Sequence, residues 1–229
     1  MNVKTLASHL NATDLAIGQT PEQVTAFVEE AVCLGLRGVC VYPNMVETAL
    51  AAAKGRIVVG TVTGFPSGID VPATKIGDAA LSVRLGAREL DFGVNLSALK
   101  SGDIDTLEEE ISGIIAAARP AGCRVYAVFN TYRLSDEEIA ALAGLCRKLG
   151  VDGLKTTSGD PVIPRQTQPK DAALLKKNAP DLLVKAEGQL DTLEDALNLL
   201  SAGADFICSD KAAQILRQAQ EAEKGGDAE

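Results

Sequence analysis

Four phrases in this chain share one grammar: a helix-like run stops at a glycine and a β-branched run begins a few residues later. They are CLGLRGVCV (33–41), RLGARELDF (84–92), KLGVDGLKT (148–156) and SAGADFICS (201–209). Glycine just past the last helical turn is the usual helix stop. Followed along the chain, the hydrophobic period predicts strands at 5–9, 38–42, 57–63, 89–94, 124–129, 153–155, 183–186 and 206–209. It predicts helices at 21–34, 45–53, 73–85, 106–118, 136–149, 169–178, 193–202 and 212–222. Thr20 before Pro21 and Glu22, Ser135 before Asp136, Glu137 and Glu138, and Thr192 three residues before Asp195 are helix-start signals. Eight βα units in 229 residues predict an α/β protein, a closed (β/α)8 TIM barrel forming a single domain over 1–229. The polar end, from about 221, is expected to fray. A doubly wound open sheet is the alternative, but no GxGxxG follows the first strand.

Composition narrows the function. The formal charge is −9 and tryptophan is absent. A nucleic-acid binder needs a basic face, and an anionic membrane would repel this chain, so neither partner is expected. No stretch of 18 apolar residues and no basic-then-apolar leader is seen. Five cysteines (Cys33, Cys40, Cys123, Cys146, Cys208) form no CxxC and are odd in number, which suits free thiols in a reducing, cytoplasmic setting. A single histidine, His9, argues against a multi-histidine zinc site and a Ser/His or Cys/His pair.

In a barrel of this kind reacting groups sit where strands end. The polar strand-end candidates are Asp91, Asn95, Asn130, Lys155, Lys185 and Asp210. Lys155 and Lys185 lie one βα unit apart, so they belong to neighbouring strands about 4.8 Å apart. If both point inward, like charge and partial desolvation lower a lysine's pKa and leave free amine to attack a carbonyl. The alternative is that each reaches solvent or pairs with a carboxylate. Strand alternation puts Glu89, Asp91 and Gly93 on one face. Asp91 is either a proton-transfer group paired with these lysines or a structural ion pair. Cys40 lines the mouth or is a small core residue. His9 is a polar lid or a hydrogen-bonded surface group.

Over about 6–215 the chain resembles the deoxyribose-phosphate aldolase family, Schiff-base aldolases on a (β/α)8 barrel. The resemblance rests on GVCVYPNMV (38–46), TVTGFPSG (61–68), ELDFGVNLSALKSGD (89–103), LSDEE (134–138), GLKTTSG (153–159) and VKAEG (184–188), in that order. It implies a cytoplasmic lyase of deoxyribonucleotide catabolism that reversibly cleaves 2-deoxy-D-ribose 5-phosphate to acetaldehyde and D-glyceraldehyde 3-phosphate. Its partners would be small aldehyde and sugar-phosphate substrates, with no metal or cofactor, and dimers are common in the family. Lys155 would be the Schiff-base lysine, Lys185 the lysine that depresses its pKa, and Asp91 the proton relay. Cys40, Thr156, Gly188 and Ser209 would contact substrate.

The same resemblance marks departures. The family's Gly-Gly and basic residue after the second lysine are replaced by Gly188, Gln189 and Asp191; the last strand ends in Ser209-Asp210, and the segment after the first lysine ends in Gly159-Asp160. The first-strand acidic position falls on Ser8. Asp160, Glu187, Asp191 and Asp210 would then crowd the place where relatives hold a phosphate, offset in part by Arg165 and Lys211. The expectation is retained aldol chemistry with a weakened phosphate grip or an altered acceptor aldehyde. A related Schiff-base aldolase, or an idle metabolite-binding barrel, are the other readings.

Overall fold

The computed structural model describes residues 1–159 and 164–226. Eight parallel strands close into a barrel in chain order, β8 pairing with β1. They are β1 (Leu10–Asp14), β2 (Gly38–Val41), β3 (Val58–Thr63), β4 (Glu89–Gly93), β5 (Arg124–Val128), β6 (Gly153–Lys155), β7 (Leu183–Ala186) and β8 (Phe206–Ser209). The helices are α1 (Val3–Ala7), α2 (Pro21–Cys33), α3 (Val46–Ala53), α4 (Pro72–Arg84), α5 (Leu96–Ser101), α6 (Ile104–Ala118), α7 (Asp136–Leu149), α8 (Pro169–Asn178), α9 (Leu193–Ser201) and α10 (Ala212–Gly226).

The start signals work as expected. Thr20 with Gln23, Ser135 with Glu138 and Thr192 with Asp195 form reciprocal capping boxes on α2, α7 and α9. Gly150 ends α7 at φ +86°, a left-handed conformation that a side chain would strain. The barrel wall separates two environments. Leu90, Phe92, Leu154, Val184 and Ile207 are buried in the apolar layer shared with the helices. The alternate positions Glu89, Asp91, Lys155 and Lys185 are equally buried but polar. Period-2 alternation therefore sorts apolar groups outward to the helices and charged groups inward.

The expectations differ from the structure in three places. Residues 5–9 are not a strand: α1 takes 5–7 and a turn takes 8 and 9, the helix opened by Asn2, whose side chain accepts from the Thr5 N–H at 2.8 Å. This short helix buries Leu6 and Ala7 and packs against α10, and the first strand begins at Leu10. A further helix, α5, follows β4, its first turn capped by Asn95, which accepts from Ser97 and Ala98. The end expected to fray from about 221 is helical as far as 226, because α10 runs on to there.

Candidate active site

Lys155 and Lys185 are register partners on β6 and β7, as their one-unit spacing predicts. Both are buried. Asp91, from β4, lies between them and accepts from Lys155 Nζ on Oδ2 and from Lys185 Nζ on Oδ1, each at 2.7 Å. Two further carboxylates complete the cluster. Glu89 Oε2 lies 2.9 Å from Lys185 Nζ, and Glu187 forms an ion pair with Lys155. Glu89 also takes both Arg37 and Arg124, the latter at 3.1 Å, and the Tyr126 hydroxyl at 3.3 Å. Lys185 Nζ sits 3.7 Å from the Tyr126 ring centre, which adds a cation–π attraction.

This arrangement reverses one expectation. Burial of Lys155 disfavours its ammonium, but Asp91 and Glu187 outweigh burial and hold its pKa well above the usual lysine range. Lys185 behaves alike: burial opposes its charge, while Asp91 and Glu89 raise its pKa. Two amines alone would repel; three carboxylates brought in by barrel closure neutralise them. The carboxylates split. Burial opposes the charge of Glu89, yet Lys185 and Arg37 hold its pKa at about 2. Burial likewise opposes ionisation of Asp91, which Lys155 and Lys185 keep below the usual value. Glu187 is the exception: burial pushes its pKa up, and Lys155 does not fully compensate.

Above the cluster, at the C-terminal ends of the strands, opens a cavity of about 340 Å³. Asp14, Tyr42, Phe65, Glu187, Gly188 and Asp210 are among its walls, and no lysine or arginine is among the described residues that line it. The two cations expected to offset these acids are already engaged. Arg165 holds Asp171 through two bonds of 2.7 and 2.8 Å, and Lys211 pairs with Asp210 at 3.2 Å.

The candidate substrate-binding residues are placed unevenly. Gly188 and Ser209 line the cavity, whereas Cys40 and Thr156 do not. The Ser209 hydroxyl is already engaged, donating to Leu190 O and accepting from Lys211 N. Thr156 is fully buried and its hydroxyl bonds both the N–H and the C=O of Glu187. Cys40 is buried, and burial beside Asp91 pushes its thiol far up. Burial also raises the Cys208 thiol, to about 11, so it stays protonated near neutrality. All five cysteines are free. Asp191 is exposed and lies outside the cavity lining; Gln189 lines it at φ +55°. Asp160 lies outside the described residues. Ser8 caps α1 below the barrel, and the inward polar residues of β1 are Asn11, bonded to Arg37 at 2.8 Å and Cys208 at 3.6 Å, and Thr13, which lines the cavity. His9 sits at the opposite end from the mouth, its Nδ1 2.7 Å from Asp205 O, and is no lid. Asn130 holds the Ser158 N–H at 2.8 Å.

A second buried ion pair supports one wall. Lys75 and Glu110, both fully buried, meet at 2.5 Å. Lys75 Nζ also donates to Gly68 O at 2.8 Å and Gly93 O at 2.9 Å, tying the loop that carries Phe65 and Pro66 to the end of β4. Sequence reasoning missed this pair, and also the roles of Arg37, Glu89 and Tyr126. Glu89 was already legible as sharing the Asp91 face.

A parallel eightfold barrel with two lysines and a shared aspartate beneath its mouth defines the class: a Schiff-base aldolase, an aldehyde-lyase. No family model matches the chain. Curated relatives do. The chain is 33% identical to the deoxyribose-phosphate aldolase of Aciduliprofundum boonei over 94% of this chain and 97% of that protein. It is 32% identical to that of Staphylococcus saprophyticus, covering 92% and 95%. Among solved structures it resembles "QR15, an Aldolase" with a TM-score of 0.89 and 31% identity over 98% and 99% of the two chains. It also resembles the deoxyribose phosphate aldolase of Aeropyrum pernix, described as tetrameric, with a TM-score of 0.88 and 27% identity over 96% and 93%. The chain belongs to the deoxyribose-phosphate aldolase family.

Proposed function

We propose that this chain reversibly cleaves 2-deoxy-D-ribose 5-phosphate to acetaldehyde and D-glyceraldehyde 3-phosphate through an imine on Lys155. The observation that supports it most is Lys155 itself: an amine at the end of β6, buried directly beneath the cavity and flanked by two carboxylates. The Lys155 amine adds to C1 of the open-chain sugar and water leaves. The resulting iminium accepts the electron pair of the C2–C3 bond as the C3 hydroxyl loses its proton, which releases the acceptor aldehyde and leaves an enamine. Protonation at C2 and hydrolysis then free acetaldehyde. Asp91 moves protons at this site, and Lys185 holds Asp91 in place. Borohydride reduction in the presence of acetaldehyde, followed by mass mapping, tests the assignment. An adduct on Lys155 supports it; absence of any adduct favours a binding protein.

The cavity favours a second reading of the acceptor. Asp14, Glu187 and Asp210 face it and no described lysine or arginine lines it, so a dianionic phosphate there meets like charge in a partly dry space. An uncharged acceptor, released from 2-deoxyribose itself, avoids that repulsion. Comparing kcat/KM for 2-deoxyribose 5-phosphate and 2-deoxyribose decides between them. A preference for the phosphate of about 1,000-fold, worth about 4 kcal/mol, overturns the second reading. We further propose a cytoplasmic setting, in keeping with five free cysteines, and a homodimer, tested by light scattering. No described helix is long and apolar enough to cross a membrane.

A further inference from the structure

The three carboxylates of the cluster are not equivalent. Glu89 is held by two arginines, a lysine and a tyrosine, and Asp91 by two lysines. Among the described residues Glu187 pairs with one cation, Lys155, and its buried Oε2 meets no hydrogen-bond donor other than that ammonium. The more cations hold a carboxylate, the weaker a base it is. Glu187 is therefore the strongest base of the three, and it is also the one that touches the lysine proposed to react.

Its position is built rather than incidental. The Glu187 carbonyl accepts from the hydroxyls of Thr156, Thr157 and Thr167, and its N–H donates to Thr156. That pins the backbone while the carboxylate reaches over Lys155. Gly159, at φ +72°, clears the space, since a Cβ there would stand 2.5 Å from Glu187 Oε1. Glu187 lines the cavity, whereas Lys155 is fully buried and does not. The carboxylate is thus the group that joins the amine to the substrate space.

We propose that Glu187 is a catalytic residue: it takes the proton from Lys155 to generate the free amine and returns it to the departing hydroxyl when the imine forms. This rests on the reading of Lys155 as the nucleophile. The balance is complete without a co-reactant. The ammonium passes one proton to the carboxylate. The amine then adds to the aldehyde carbon, and its own proton moves to the new hydroxyl. The Glu187 carboxylic acid protonates that hydroxyl, which leaves as water, giving the iminium and restoring the carboxylate. Once neutral, Glu187 is no longer held to Lys155 by charge and is free to swing toward the cavity, which opens the amine to the substrate.

Other titratable groups face Glu187 from the surrounding strands: Asp91 on β4, Lys185 on β7, Cys40 on β2 and Cys208 on β8. Both thiols stay protonated near neutrality, and Asp91 is a weaker base, so Glu187 sets the response of imine formation to pH. The test is the rate of borohydride-trapped imine on acetaldehyde, measured from about pH 5 to about pH 9 for the wild type, E187Q and E187A, with thermal melts as a folding control. In the wild type the Lys155–Glu187 pair shares one proton across the neutral range. The rate is therefore flat there and falls toward acid. In E187Q the amine forms only by loss of a proton to solvent; the rate drops about 100-fold near neutrality and then climbs about tenfold per pH unit. Formate restores E187A, whose truncation leaves room for it. A carboxylate that merely holds the ammonium would give the opposite result. Removing it would lower Lys155 basicity, so trapping in E187Q as fast as wild type or faster overturns the proposal. A wild-type rate that climbs steadily with pH through neutrality overturns it without any variant. Absence of an adduct on Lys155 in the wild type strikes instead at the function proposed above.

Discussion

Lys155 and Lys185 stand opposite each other on adjacent strands and each donates at 2.7 Å to a different oxygen of one carboxylate, that of Asp91. Proximity of the two amines is therefore not a source of repulsion in the resting site. Asp91→Asn keeps the shape and removes the shared charge. If Asp91 relays protons as proposed, turnover falls at least about 100-fold. The remaining activity is expected to peak at lower pH, because Lys155 loses one of the two carboxylates that raise its pKa. A kcat–pH profile checks both. An unshifted profile would mean that Asp91 does not govern the basicity of Lys155.

Lys185→Leu acts in the other direction. Without that cation, Asp91 and Glu89 are left under-neutralised and Asp91 holds the Lys155 proton more tightly. Turnover near neutrality is expected to drop by orders of magnitude and to recover partly as pH rises. Stranding buried charge costs about 3–5 kcal/mol, which urea unfolding would register. Near-wild-type kcat in this variant would remove the electrostatic coupling between the two lysines.

Glu89 makes part of the stability depend on acid. Its pKa falls from an ordinary 4.5 to about 2 on folding. A group depressed in this way contributes stability above its unfolded pKa and loses it as pH falls through the folded one. The window runs from about 4.5 down to about 2, and the contribution is on the order of 3 kcal/mol. Denaturant melts at neutral pH and near pH 3 should show the wild type losing more stability than Glu89→Gln over that interval, the variant starting lower.

The Lys75–Glu110 pair offers a test of positioning. Lys75→Met leaves Glu110 buried without its cation, at a cost of about 3–5 kcal/mol. It also releases the Gly68 and Gly93 carbonyls. Replacing both members, Lys75→Met with Glu110→Leu, should recover most of the stability but not the tether. Because Phe65 and Pro66 line the cavity, KM is expected to stay raised in the double variant while kcat changes little. Recovery of both stability and KM would show that the pair does not shape the cavity.

Much of this site could be read along the chain because strand alternation is a local rule. Lys155 and Lys185, one unit apart, had to be neighbours, and Glu89 and Asp91 had to share a face. Contacts made by closing the barrel were not legible. Arg37 opens the segment leading into β2 and meets Glu89 across 52 residues of sequence, which no spacing encodes. The sign of the lysine shift failed for the same reason: the chain shows two amines close together and candidate carboxylates nearby, but not that closure brings three of them into contact with the amines. Glu187 did carry a signal, since it stands two residues after Lys185 and so shares its face. The short α1 was hidden because Val3 and Thr5 favour strand and only Asn2 announces a helix.

The groups proposed to handle protons, Asp91, Lys155 and Lys185, hang on β4, β6 and β7, whereas Asp14, Tyr42 and Phe65 stand at or just past the ends of β1, β2 and β3. On the proposed roles, the covalent chemistry and this part of the cavity wall have separate addresses in the chain. A library randomised at those three positions is expected to retrain the enzyme toward new aldehydes while leaving its covalent chemistry untouched.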